Sequence, residues 1–469
     1  MSKLLARYAS LESDVSDVPV VNDEVDETGA QLDGTEIAEG DMLEAEEHLG
    51  DVDQAEGEAE ELTQTTEALE SWLDLVSTAR RDRTGLTKRE AHGIFVGLNN
   101  DMRRHGHTVD DLVDGHNVAV ESFDGGRDSV SRCLSLENAI MEAIKSFWQK
   151  IKDTISKMVK AVREWYLKHL DSASRMKKRA EALRDKANQT SGTAKEKKIN
   201  LTVHRQLSNK KAAGDANFIS SGLKTCAQAL DSLTTKRISS AGDTLDAIET
   251  AVNTIIDSPN ATTASAIDAS DYTLDTTIAG TSAQTSYAKL LGLEGVSNAS
   301  VYGTGDLPGH KAIMGASFTI SATDALEKAD EIKQAEDRSK IHVKFTTDKI
   351  PEIESSKEYP TLAPSVCGSL CSDVIKLLDV IVNYRANFDK YESSTKKFLA
   401  KMDTIYKKNI KEDTDVARDN AKIGRLLGGA GASSIRSLNA SITALSGYSM
   451  GLCRATLVYA QQSLAQHKA

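Results

Sequence analysis

The stretch Asn138–Leu170, NAIMEAIKSFWQKIKDTISKMVKAVREWYLKHL, decides the fold class because its apolar residues recur every three or four positions. Their mean step of about 3.6 residues places them on one face of an α-helix. The members of this stripe are Ile140, Ile144, Phe147, Ile151, Ile155, Met158, Val162 and Trp165. Lysine and arginine occupy much of the remaining surface. We therefore predict a long, basic, amphipathic helix that begins at this point.

The net charge of the chain changes sign where this stretch begins. Residues 1–137 hold 33 acidic and 11 basic side chains, a net charge of −22, whereas residues 138–469 hold 37 and 46, a net charge of +9. Residues 11–70 contain 22 acids and no lysine or arginine. Like charges at this density repel, and few apolar residues are present to offset chain entropy. We predict a disordered acidic leader, with the hydrophobic core confined to the second part.

The rest of the chain continues the helical pattern, with one interruption. Ser/Thr-rich sequence around residues 257–300 is typical of a loop, and VYGTGDLPGHKAIMGASF and SKIHVKFTTDKIPEI alternate as short strands do. The predicted fold is mainly α, an elongated helical bundle with a small β element in the middle. The predicted segments are 1–70 (leader), 71–137 (helical propeptide), 138–256 (basic helical region), 257–365 (loop-rich, with a short sheet) and 366–469 (C-terminal helical hairpin).

The basic helix has three candidate uses: a core helix of the bundle, a helix on a membrane surface, or a partner for polyanions. The last two need exposed cations. The candidate polyanion-binding residues are Lys145, Lys150, Lys152, Lys157, Lys160, Arg163, Lys168, Arg175, Lys177, Lys178 and Arg179.

Sites for enzyme chemistry are not predicted. GTGDLPGHK lacks the Gly-Lys-Ser/Thr end of a phosphate-binding loop, and RLLGGAGASS is more typical of a helix break than of a dinucleotide site. His105 and His107 have no acidic or cysteine partner at a metal-binding spacing. Five scattered cysteines are expected to be reduced, buried thiols. We expect no enzyme, no cofactor, no bound metal, no signal peptide and no membrane-spanning segment.

Several motifs carry a resemblance to a known family. ESFDGGRDSVSRCLSLENAI lies between the acidic leader and the basic helix, and RMKKRAEALRDKA, GDLPGHKAI and VNYRANFDKYESSTKKFLAKM follow it. From about residue 68 to the C-terminus the chain resembles the internal head (prohead core) proteins of giant tailed bacteriophages. The resemblance implies a structural protein made in the host cytoplasm and located in the virion, inside the phage head.

Such families also imply processing by a prohead maturation protease that cuts after Glu. Ser135, Leu136, Glu137 and Asn138 fit its motif, with the cut between Glu137 and Asn138. Competing matches to the same three-residue motif end at Glu12, Glu47, Glu61 and Glu70. The alternative is that Ser-Leu-Glu starts a helix, with Glu137 near its positive N-terminal end.

In the implied function, removal of the acidic propeptide leaves a basic body that is packaged with genomic DNA. The partners would be the maturation protease, other head or core proteins and DNA bound by non-specific electrostatics. Ejection of the body with the genome is part of the same hypothesis. The alternative is a membrane-active or polyanion-binding effector that its own acidic N-terminal region covers.

Overall fold

The computed structural model describes most of the chain apart from its first 33 residues and several internal segments. The described ranges are 34–108, 123, 127–209, 214–258, 273–274, 279–296, 299–319, 340–347, 349, 352, 357–407 and 415–467. Residues 1–33, the first part of the predicted leader, lie outside them.

Helices dominate these ranges and confirm the mainly α fold. They are α1 (Gly34–Arg81), α2 (Lys88–Arg103), α3 (Arg127–Gln189), α4 (His204–Leu207), α5 (Ala216–Asp231), α6 (Ile238–Asp257), α7 (Ala288–Leu291), α8 (Pro364–Asn383), α9 (Arg385–Lys407) and α10 (Asp415–Ala465). A π-helical turn, Ser232–Arg237, joins α5 to α6, and only Tyr384 separates α8 from α9.

The acidic tract from Gly34 onward is helical, which corrects the prediction of disorder for residues 34–70. Alanine, leucine and glutamate are good helix formers, and that propensity is summed here over a long segment. The few apolar residues also recur at helical spacing, because Leu62, Leu69, Leu73 and Val76 are all buried in the main core. The core therefore includes part of the leader, contrary to the sequence-based expectation.

Helix α3 forms the long axis of the bundle. It runs for 63 residues, or about 95 Å at 1.5 Å per residue. Seven of the eight predicted stripe residues, from Ile140 to Val162, are buried. The helix begins at Arg127, however, and not at the charge reversal. Cys133 and Leu136 extend the buried stripe backwards from Ile140, so packing continues through the junction.

The other long helices align with α3 along its length. Helices α8 and α9 run antiparallel to it, as the ion pairs Lys177–Asp379, Arg163–Glu392 and Lys152–Asp403 show. Helix α10 runs parallel to α3, and its Gln461 accepts a hydrogen bond from Arg179. Helix α1 packs against α3 and α10, and α6 packs against α9. These helices together form an elongated bundle.

Helix α10 is continuous through RLLGGAGASS, so the predicted helix break is wrong. Its glycines serve close packing instead, because a Cβ on Gly428 or Gly431 would overlap Met402 or Phe398 of α9. Both faces of α10 are largely buried between residues 427 and 460. Small residues let α9 approach this central helix closely.

The strands form two small antiparallel sheets, and the second contains the strands predicted for the middle of the chain. Strand β1 (Lys198–Leu201) pairs with β7 (Lys357–Pro360). The second sheet contains β2 (Thr273–Leu274), β3 (Ser282–Ala283), β4 (Ala299–Gly303), β5 (Lys311–Thr319) and β6 (His342–Phe345). Strand β5 pairs with β4, β6 and β2, and β4 also pairs with β3. The GDLPGHKAI loop anchors this sheet, since Tyr448 of α10 donates a hydrogen bond to the Pro308 carbonyl at 2.8 Å.

Candidate cleavage junction and polyanion surface

The predicted cleavage motif lies inside a regular helix. Ser135, Leu136, Glu137 and Asn138 are all part of α3, which begins eight residues before Ser135. Leu136 is fully buried and Glu137 is 7% exposed, whereas Asn138 is exposed and Ser135 is half-buried. Glu137 is therefore neither at a helix N-terminus nor in a loop. The helix-start explanation of Ser-Leu-Glu is wrong.

The carboxylate of Glu137 is held by the last turn of α1. Arg80 Nε donates a hydrogen bond to Glu137 Oε1 at 2.8 Å, and the side chains are 42% and 9% exposed. This pair joins the end of the leader helix to the junction. No pattern in the sequence indicated Arg80 as the partner of Glu137, because 57 residues separate the two.

A second contact fixes the chain beside this pair. The Leu86 amide donates a hydrogen bond to Ser129 Oγ at 2.9 Å, and the Ser129 hydroxyl donates one back to the Leu86 carbonyl. Cys133 lies between Ser129 and Glu137 on α3, and burial raises the pKa of its thiol. All five cysteines are free and buried, as expected. The junction is thus enclosed by the α1–α2 connection.

Helix α2 begins with a capping box. The Thr87 side chain accepts a hydrogen bond from the Glu90 amide, and the Glu90 carboxylate accepts one from the Thr87 amide. Hydrogen bonds from Thr87 lower the pKa of Glu90. At the other end of α2, His105 contacts Thr65 at 2.7 Å and its ring packs edge-on to Phe147. His105 thus joins the end of α2 to α1 and α3. The described residues contain no metal-binding cluster.

Many of the candidate polyanion-binding residues already have acidic partners within the bundle. Lys152 lies 2.9 Å from Asp403, Arg163 lies 2.9 Å from Glu392 and Lys177 lies 2.6 Å from Asp379. The hydrogen bond to Asp379 raises the pKa of Lys177. Lys160 is 3.8 Å from Glu164 on the surface of the same helix. Lys152, Arg163 and Lys177 thus join α3 to α8 and α9, whereas Lys160 stays on the surface.

Other candidates are partly engaged by neutral groups. Lys150 Nζ donates to His107 Nε2 at 2.7 Å and lies over the Phe147 ring, and Arg179 donates to Gln461. Lys145 is half-buried, and the side chain of Lys168 lies outside the described part of the structure.

Three candidates remain exposed and form no ion pair or hydrogen bond with side chains in the described ranges: Lys157, Arg175 and Lys178. Eighteen residues make five helical turns, so Lys157 and Arg175 lie on one face. Exposed Lys186, which was not among the predicted residues, continues that face. We call Lys157, Arg175, Lys178 and Lys186 the cationic stripe. It extends about 44 Å along α3.

None of the helices in the described ranges is long and apolar enough to cross a membrane. The apolar stripe of α3 is buried in the core of the bundle. Among described residues, the large apolar side chains that remain exposed are Leu75, Val96, Leu134 and Val416. They lie on four separate helices, and one of them, Leu134, lies beside the junction.

Comparison with known proteins identifies the family. The model of phiKZ-like phage internal head proteins matches residues 23–462. Neither the curated proteins nor the solved structures gave a match. The family match covers nearly the whole chain, including the acidic helix α1, the junction and the complete bundle. The chain therefore belongs to the phiKZ-like phage internal head proteins, which are structural proteins inside the phage head.

Proposed function

We propose that the chain is made as an acidic precursor, is cut between Glu137 and Asn138 during head maturation, and leaves a basic helical body that binds packaged DNA. The observation that carries this proposal is the reversal of net charge, from −22 before the cut to +9 after it. A protease of the prohead is the partner that the family resemblance implies, and Ser135, Leu136 and Glu137 fit its motif.

In the precursor, acids of α1 neutralise bases of the body. Glu70 lies 3.2 Å from Arg425, and Asp74 lies 4.0 Å from Lys422, both on α10. The leader thus covers cations as well as apolar surface. Before cleavage the net negative charge of the chain opposes association with DNA. Removal of residues 1–137 reverses that effect.

The body has the packing to remain folded after the cut. Residues 138–189 keep the larger part of α3. Helices α8, α9 and α10, which pack against α3, lie wholly within the body. The ion pairs with Asp379, Glu392 and Asp403 lie within the body. Cleavage therefore changes the net charge without removing the main scaffold.

DNA would bind through phosphate contacts and without base specificity. Lysine and arginine side chains release counterions from the duplex when they contact phosphates. The cationic stripe offers such contacts along one face of α3. This arrangement favours DNA over the membrane alternative, because the apolar face that a membrane would need is buried in the bundle.

The DNA contact can be tested by replacing exposed and ion-paired cations in equal numbers. The test variant is Lys157→Gln/Arg175→Gln/Lys178→Gln, and the matched control is Lys152→Gln/Arg163→Gln/Lys177→Gln. The salt dependence of binding to duplex DNA of mixed sequence is measured with residues 138–469, the basic body to which the proposal assigns DNA binding, and circular dichroism checks that this fragment is folded. We expect the logarithmic slope of the test variant to fall by about 2 to 3, since each phosphate contact contributes about 0.9.

The control should keep a slope close to that of the natural chain, because its cations already contact carboxylates. Equal slopes for the natural chain and the test variant would reject the cationic stripe as the DNA contact. The cleavage is tested separately, by the N-terminus of the protein in virions.

A further inference from the structure

We propose that the leader protects its own cleavage site, with Arg80 as the positioning residue that holds Glu137 away from the protease until α1 separates from α3. This inference rests on the proposed processing after Glu137 and adds a control step to it. It concerns the accessibility of one peptide bond and one carboxylate.

The backbone around the bond is in the wrong conformation for cleavage. An endoprotease must bind several residues on each side of the bond, and an α-helix keeps those residues coiled and hydrogen-bonded. The Glu137–Asn138 bond lies well inside α3, and Leu136, the residue before Glu137, is fully buried. This segment must unwind locally before it can be cut.

The recognised side chain is also engaged. A protease that cuts after glutamate must bind the glutamate carboxylate, and here that carboxylate accepts a hydrogen bond from Arg80 at 2.8 Å. Only 9% of the Glu137 side chain is exposed. The pair must break before the protease can bind the carboxylate.

Arg80 is well placed to couple this pair to the state of the leader. It is the second-to-last residue of α1, and the following connection is fixed to α3 by the two hydrogen bonds between Leu86 and Ser129. Separation of the end of α1 from α3 breaks this ion pair and removes the α1–α2 connection that encloses the junction. A folded precursor is therefore resistant at Glu137, and one with a loosened leader is sensitive.

Another motif glutamate provides an internal comparison. Glu61 is also helical but its side chain is exposed, whereas Glu137 is buried and paired with Arg80. Both follow residues that suit the proposed motif. If carboxylate access limits cleavage, the bond after Glu61 is cut first in the folded chain.

The test is limited digestion of the purified full chain by a glutamate-specific endoprotease, with each new N-terminus quantified by mass spectrometry. The variants are Arg80→Ala, Arg80→Lys and the matched control Arg81→Ala, which alters the adjacent arginine, itself paired with Asp82. The reference bond follows Glu249 on α6, far from the leader in sequence. Melting temperatures establish that each variant is folded.

We expect cleavage after Glu137 to be about tenfold faster in Arg80→Ala, because protease sensitivity follows the population of the open segment. Arg80→Lys keeps a cation beside the carboxylate and should lie closer to the natural chain. Arg81→Ala should leave the rate at Glu137 unchanged, and the rate at Glu249 should be the same in all variants.

Equal rates at Glu137 in the natural chain and Arg80→Ala would overturn the inference. So would a similar increase at Glu137 and Glu249, since that result means general unfolding. Neither result bears on whether virions contain protein cut at Asn138. An intact N-terminus in virions would instead remove the proposed processing and leave the measured protection of the bond as it is.

Discussion

At the scale of single residues, two glycines of α2 have opposite surroundings. A Cβ on Gly97 would overlap the Trp72 ring of α1, whereas a Cβ on Gly93 would meet no atom within 4 Å. We expect Gly97→Ala to destabilise the protein by about 1 to 3 kcal/mol through overpacking. Gly93→Ala should stabilise it by up to about 1 kcal/mol through helix propensity. Urea denaturation of both variants measures the difference, and equal effects would contradict the described α1–α2 contact.

We predict that protonation of His342 in β6 destabilises the folded protein in acid. Burial, and then the nearby charges of Lys344 and Lys340, lower its pKa to about 4. The unfolded chain has a histidine pKa of about 6.5, so it binds the proton at a higher pH than the folded chain does. The stability that neutral His342 provides is complete above pH 6.5 and is lost as the pH falls towards 4.

We expect His342→Gln to reduce the loss of unfolding free energy between pH 7 and pH 4 by up to about 3 kcal/mol. Urea titrations at pH 7, 5.5 and 4 measure this for both proteins. Parallel loss of stability in the natural chain and the variant would show that His342 is not responsible.

Local patterns at this scale were readable from the sequence, and distant partners were not. The Thr87–Glu90 capping box and the buried stripe from Ile140 to Val162 follow from spacing along one helix. The partners of Lys152 and Arg163 lie on α9, more than 200 residues away. Sequence identified the cations, but only the fold decides which of them face solvent.

At the scale of elements, α1 is the largest difference between expectation and structure. Average charge and low hydrophobicity predicted disorder, yet Leu69, Leu73 and Val76 need only one face of a helix to enter the core. The same reasoning explains the junction, where Cys133 and Leu136 continue the apolar stripe of α3. A change of charge sign does not interrupt a helix when the apolar spacing is maintained.

The buried contact between leader and body predicts that the cut after Glu137 alone does not release the leader, so its loss from the head requires further cuts, for example after Glu61 or Glu70. We expect residues 1–137 and 138–469, produced together as separate chains, to copurify through an affinity tag on either one. Leu62, Leu69 and Val76 bury their side chains in the common core, which favours association by the hydrophobic effect. Leu69→Asp/Val76→Asp is the variant that should abolish copurification. Failure of the natural pair to copurify would contradict the packing of α1.

At the scale of the whole molecule, the sequence predicted an elongated, mainly α protein with a small central sheet, and this is confirmed. The family identification is confirmed as well, and it places the protein inside the phage head. The sequence could not predict that acidic α1 is part of the same bundle as the basic body. That arrangement depends on long-range packing, for which a local pattern gives no signal.

The central claim is that the acidic part is removed at the charge reversal. The most direct measurement is mass spectrometric mapping of the N-terminus of this protein from purified virions. We predict a peptide that begins at Asn138, no peptides from residues 1–137, and a mass of about 36 kDa in place of 50.7 kDa. Full-length protein that begins at Met1 or Ser2 would contradict it.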